Sequence, residues 1–167
     1  MPPSRHEQGL PEPLERWRHD VALPDAFLLL NFLGEISRRV SSSYGTWLRP
    51  FGIDFSEYVV LWALRLLEPK LPSVSDLRGR VVMSSGGIAL ALNRLDKKRL
   101  VRRKPSPQDG RAVIVQLTPK GRRLIDQLMT QDVERHEQLL DGLAPIERGI
   151  VLDGLAEILQ RHIALRE

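Results

Sequence analysis

The sequence predicts a mainly α-helical chain with one small β-hairpin, and three observations carry that prediction. Apolar residues recur at three- and four-residue steps through long stretches toward both ends of the chain, the period of amphipathic helices. A shorter stretch, Ala112-Val113-Ile114-Val115-Gln116-Leu117, is rich in β-branched residues and follows the turn-forming Pro105-Ser106-Pro107-Gln108-Asp109-Gly110. It reads as the second strand of a hairpin. Basic residues gather around that hairpin: positions 97–123 hold ten Lys or Arg against one acid, Asp109, a local balance of +9 in a chain of formal charge +4, leaving −5 for the remainder.

The elements follow in order. Pro2, Pro3, Pro11 and Pro13 forbid a continuous helix at the start, so residues 1–23 are expected to form an arm and a short helix through Leu14 and Trp17. From Pro24 the residues Ala26, Leu29, Leu30, Leu33, Ile36, Val40, Tyr44, Trp47 and Leu48 keep helical spacing until Pro50 and Gly52 end the run. Asp54 and Glu57 have capping-box spacing before Tyr58-Val59-Val60-Leu61-Trp62-Ala63-Leu64, a segment apolar on most sides and therefore central. Ser73 and Asp76 repeat the capping spacing and open a short helix with Val74 and Leu77 inward, while Pro69 and Pro72 separate it from its predecessor. Ser84-Ser85-Gly86-Gly87 starts another helix through Leu95. Two short helices across a tight connection make a helix-turn-helix.

Leu100-Val101-Arg102-Arg103-Lys104 is the first strand of the hairpin, a basic wing. Thr118 as N-cap and Pro119 at the first helical position launch a long helix with Leu124, Ile125, Leu128, Met129, His136, Leu139 and Leu140 on or near one face. Pro145 starts the last helix, with Ile146, Ile150, Leu155, Ile158, Leu159 and Ile163.

Composition narrows the function. A positive patch on an otherwise acidic chain attracts a polyanion locally, and nucleic acid is the natural one. With no cysteine there is neither a disulfide nor a thiolate metal site. Met1 to Gln8 carry no signal-peptide core and no apolar run approaches the roughly 20 residues that span a bilayer, so a cytoplasmic protein without a membrane role is expected. The four His, at 6, 19, 136 and 162, lack metal-binding spacing and no phosphate loop occurs. Neither enzyme activity, nor a metal, nor a cofactor is expected.

If Ile88, Ala91, Leu92 and Leu95 face the core, then Ser85, Ala89, Leu90, Asn93 and Arg94 face outward at helical spacing. That face is expected in a major groove. Ala89 and Leu90 can touch thymine methyls, Ser84, Ser85 and the backbone at Gly86 can meet phosphate or base edges, and Asn93 can read adenine. An A/T-leaning half-site follows. On the wing, Arg111 is expected in a minor groove, Asp109 in a pairing that holds the wing, and Arg102, Arg103 and Lys104 on phosphates.

The order of elements, with Ser84-Ser85-Gly86-Gly87, Asn93-Arg94-Leu95-Asp96, Asp109-Gly110-Arg111 and Leu117-Thr118-Pro119-Lys120-Gly121, resembles the MarR family of bacterial transcription regulators over roughly residues 24–165. The resemblance implies a winged helix-turn-helix lobe over about 54–118 and dimerisation helices over about 24–49 and 119–165. It also implies a homodimer astride palindromic double-stranded DNA, acting as a repressor released by a small molecule. Family members commonly carry Thr and Arg where this chain has Ala89-Leu90-Ala91. The segment with Trp17 is similar to the urate-responsive branch, but that branch's acidic position falls on Val59, one arginine on Ala91 and another near Gly79. Trp17, Tyr44, Trp47, Tyr58 and Trp62 are the expected lining of an effector pocket for a small aromatic or lipophilic anion, against the alternative that they are ordinary core. The apolar Ala89-Leu90-Ala91 face keeps a second function class open, a winged-helix protein-interaction module.

Overall fold

The computed structural model describes residues 24–106 and 113–164, with side chains through 161. The chain divides into two compact units, Met1–Phe55 and Ser56–Glu167.

In the first unit, helix α1 spans Asp25–Leu48 after Pro24, whose extended backbone starts it. A single 3-10 turn, Arg49–Phe51, closes it on Gly52 at φ 68°, a left-handed position that suits glycine. The expected apolar stripe is only partly covered. Leu28, Tyr44 and Leu48 are buried, whereas Leu30, Leu33 and Ile36 are exposed. Periodicity identifies an apolar face without identifying its cover. Tyr44 meets Trp47 edge-on at 5.4 Å between centroids and Phe55 at 4.7 Å, and Trp47 in turn meets Phe51 at 6.3 Å.

The second unit holds α2 (Phe55–Leu67, apart from its first residue), α3 (Val74–Arg78), α4 (Ser85–Lys97), β1 (Val101–Pro105), β2 (Val113–Leu117), α5 (Pro119–Glu137) and α6 (Pro145–Ala164). Its core consists of Val60, Leu61 and Leu64 from α2, Leu77 from α3, Ile88, Ala91, Leu92 and Leu95 from α4, Val101 and Val115 from the strands, and Ile125 and Leu128 from α5. The strands pair antiparallel with Val101 opposite Leu117, Arg103 opposite Val115 and Pro105 opposite Val113.

Strand β2 does not alternate cleanly, because Ile114 and Val115 are both buried. The reason is a third partner: Ser73 bridges Ile114, and the Val115 N–H donates to the Pro72 carbonyl at 2.9 Å. Local caps explain the remaining boundaries. Ser73 and Asp76 form both halves of a capping box. Thr118 accepts from the Gly121 N–H at 3.0 Å and donates to the carbonyls of Arg99 at 2.8 Å and Leu100 at 3.2 Å, fastening the start of α5 to the start of β1.

The stripe predicted to run through Leu139 and Leu140 stops earlier. Helix α5 ends at Glu137, Gln138–Leu140 form a 3-10 turn, and Leu139 is exposed. On α6, Ile146, Ile150, Ile158 and Leu159 are exposed in the single chain. Among the described residues, no helix is long and apolar enough to cross a membrane.

Candidate nucleic-acid interface

Helix α4 is amphipathic by construction, and its inner residues fix which way the outer ones point. Ile88, Ala91, Leu92 and Leu95 are buried, so Ser85, Gly86, Ala89, Leu90, Asn93 and Arg94 are exposed together. Ser84 caps the helix, its Oγ accepting from the Gly87 N–H at 3.1 Å. That bond commits the oxygen as an acceptor and leaves the hydroxyl hydrogen to donate. The first backbone N–H groups, including those of Ser85 and Gly86, lack intrahelical partners and form a natural seat for a phosphate.

The turn from α4 into β1 is sharp. Arg99 takes φ 58°, a left-handed conformation unusual for a residue with a Cβ, while the Leu100 N–H returns to the Leu95 carbonyl at 2.9 Å. Lys98 points inward, its Nζ on both carboxylate oxygens of Glu57 at 2.5 and 2.7 Å. The sequence offered Glu57 only as half of a capping box. It is 1% exposed and anchors the end of α4 to α2.

On β1 the three basic residues are all exposed, but successive strand residues face opposite sides. Arg103 faces α4 and donates from Nη2 to Asn93 Oδ1 at 2.7 Å. Arg102 lines a cleft of about 360 Å³ with Leu64, Glu68, Lys70, Gln116 and Arg122. Within that cleft Arg122 is held on Glu68 at 2.6 Å. Arg103 lies with the outer face of α4, whereas Arg102 and, by alternation, Lys104 lie on the other side of the wing. Asn93, expected to read adenine, has its carbonyl oxygen on Arg103.

The wing residues Asp109 and Arg111 lie outside the described residues, as does Trp17. Of the other aromatics assigned to an effector pocket, Tyr44 is buried in a ring cluster with the half-buried Trp47. Tyr58 is 4% exposed with its hydroxyl on Asp132 Oδ2 at 2.5 Å, and Trp62 is 38% exposed. Tyr58 therefore serves the core of its own unit and presents little surface. Sequence reasoning missed Val82, which stands fully exposed in the turn before α4. Its only signal was an apolar run, Val81-Val82-Met83, where a turn was due. Among the described residues, no group of three or more His, Cys, Asp or Glu could hold a metal ion.

Comparison with known proteins bears on this geometry. A family described as winged helix DNA-binding domain matches residues 56–121. YdgJ of Bacillus subtilis, an uncharacterized HTH-type transcriptional regulator, is 30% identical over 86 residues, 52% of this chain and 52% of that protein. The chain thus spans about half the length of this curated relative. Among solved structures, apo MarR from E. coli aligns with a TM-score of 0.68 at 23% identity, over 83% of this chain and 99% of that one. MepR of S. aureus, solved as a DNA complex, aligns with a TM-score of 0.69 at 19% identity, over 83% and 99% of the two chains. At such identities the structural matches establish the fold.

Proposed function

We propose that this chain is a winged-helix regulator of the MarR kind, two copies of which bind palindromic double-stranded DNA and regulate transcription there. The observation that carries the reading is the pairing of an exposed α4 face, buried on its reverse, with an exposed basic strand at its flank. Phosphate contacts supply affinity and base-edge contacts supply sequence choice.

The lobe over about 54–118 docks α4 in a major groove, and the helices over about 24–49 and 119–165 join the two copies. Successive major grooves lie about 34 Å apart along the duplex, so only a symmetric pair of lobes engages both half-sites. The exposed apolar residues of α1 (Leu30, Leu33, Ile36) and α6 (Ile146, Ile150, Ile158, Leu159) support such a seam. Two copies are required.

At the DNA, Ala89 and Leu90 meet thymine methyls, and an arginine at wing position 111 enters a narrow minor groove with Asp109 holding the tip. The bound state represses. A small aromatic or lipophilic anion releases it by favouring a conformation with a different lobe spacing. Trp62, 38% exposed on α2, is the candidate for its wall in the second unit.

Binding to a duplex from the chain's own upstream region, measured across salt, tests the reading: log affinity should fall steeply with log salt, and Arg111→Ala should weaken binding. Site selection that returned guanine at the positions facing Ala89 and Leu90 would reject the A/T-leaning half-site. A second reading, a protein-interaction module, draws on Leu90 at 51% exposure and on Val82, fully exposed eight positions earlier, both apolar on a surface expected to meet DNA. Indifference of binding to both salt and Arg111→Ala favours that module.

A further inference from the structure

The exposed face of α4 contains one side chain whose hydrogen-bonding capacity is already divided before any partner arrives. Asn93 accepts from Arg103 Nη2 at 2.7 Å. Arginine carries only donors, so the amide atom facing Arg103 must be the carbonyl oxygen, and the amide's two N–H donors are turned away from it. The contact between α4 and β1 keeps the two residues in register. In open solvent such an exposed bond contributes little. Once a groove excludes water, the same bond decides which Asn93 atoms remain for a base.

Resting on the regulator reading above, we infer that Arg103 is a positioning residue that sets the base preference of Asn93. Free asparagine recognises adenine with both ends of its amide, accepting from N6 and donating to N7. The Asn93 oxygen keeps a second lone pair, but its bond to Arg103 fixes it on the Arg103 side of the amide, so Asn93 meets a base first with its donors. Donors alone suit any base with a major-groove acceptor: purine N7, guanine O6 or thymine O4. Cytosine presents an amino donor there and is opposed. The pair therefore reads "not cytosine" at one position of each half-site, a degenerate preference, where asparagine alone reads adenine. Arg103 uses one of its five N–H donors on Asn93 and keeps the others for a phosphate.

The test is the relative affinity of the full-length chain for symmetric duplexes carrying each of the four bases at every half-site position. The unmodified chain should show one position where adenine, guanine and thymine bind within about threefold of each other and cytosine is roughly tenfold weaker. Arg103→Met keeps the aliphatic stem without the donor and should convert that position to an adenine preference of about fivefold as the Asn93 oxygen becomes free. Arg103→Lys restores a donor and should restore the original profile, and Asn93→Ala should flatten it. A uniform loss of affinity in Arg103→Met with an unchanged profile overturns the inference, as does an unmodified chain that selects adenine alone. If the unmodified chain binds no duplex in a salt-sensitive way, the regulator reading falls, and this inference with it.

Discussion

The Tyr58 hydroxyl donates to Asp132 Oδ2 at 2.5 Å, joining α2 to α5 across 74 positions of sequence. Asp132 is 7% exposed, and His136 Nε2 lies 3.7 Å from its other oxygen. A buried carboxylate depends on its donors, since desolvation is costly and hydrogen bonds offset it. Tyr58→Phe keeps the ring packing and removes one donor to that carboxylate. Its unfolding free energy in urea should fall by about 1 to 3 kcal/mol. An unchanged midpoint would mean that solvent or His136 satisfies Asp132 without Tyr58.

Lys98 and Glu57 make a second long-range tie, asymmetric in burial: Glu57 is 1% exposed and the Lys98 side chain 37%. Removing the cation alone strands a buried carboxylate, whereas neutralising both ends does not. Lys98→Met should destabilise by up to about 3 kcal/mol, discounted for the solvent that reaches Lys98, and Glu57→Gln in the same chain should return part of the loss. Because Lys98 is turned inward, the salt dependence of DNA affinity should be the same in Lys98→Met as in the unmodified chain. A shallower slope would reassign Lys98 to the phosphates.

Gly121 sits where a Cβ would lie 1.9 Å from the Leu100 carbonyl oxygen. That atom is backbone and is fixed further by the Thr118 N–H at 3.0 Å, so it cannot move aside cheaply. Gly121→Ala should therefore cost about 3 kcal/mol or more by forcing α5 away from β1. Gly149→Ala, where a Cβ meets nothing within 4 Å, is the matched control and should be stabilising or neutral. Equal effects at the two sites would contradict the close approach.

Asp76 gives a pH prediction with a definite sign. Its carboxyl is held below the ordinary value of 3.8 by the Ser73 backbone N–H first and the Ser73 hydroxyl second. A depressed folded value means that the capping contribution is complete above the unfolded value and disappears as pH falls through the folded one. Carbon-detected titration should give Asp76 a midpoint under 3.8, with α3 losing helical order below that midpoint. A midpoint at or above the ordinary value would remove the cap as the cause of the helix start.

Local physics made much of this fold legible in the sequence. Ser73, Ser84 and Thr118-Pro119 mark helix starts because capping involves atoms within four residues, Pro24 marks one through its extended backbone, and the inner face of α4 follows from spacing alone. The ties between α4 and β1, α4 and α2, and α2 and α5 were not legible, since Asn93 meets Arg103 at a separation of 10, Glu57 meets Lys98 at 41 and Tyr58 meets Asp132 at 74. Asp132 has no local pattern to distinguish it from a solvated helix acid. Arg102, Arg103 and Lys104 read as one basic run, and only the pleat and register divide them between two sides of the wing.

In the proposed function, two copies of α4 and its basic strand meet DNA together. Sedimentation of the full-length chain with a duplex from its upstream region, repeated from low to physiological salt, tests this most directly. A complex of two chains per duplex, with an affinity that falls steeply as salt rises, is expected. A complex containing a single chain, or an affinity that ignores salt, would contradict it.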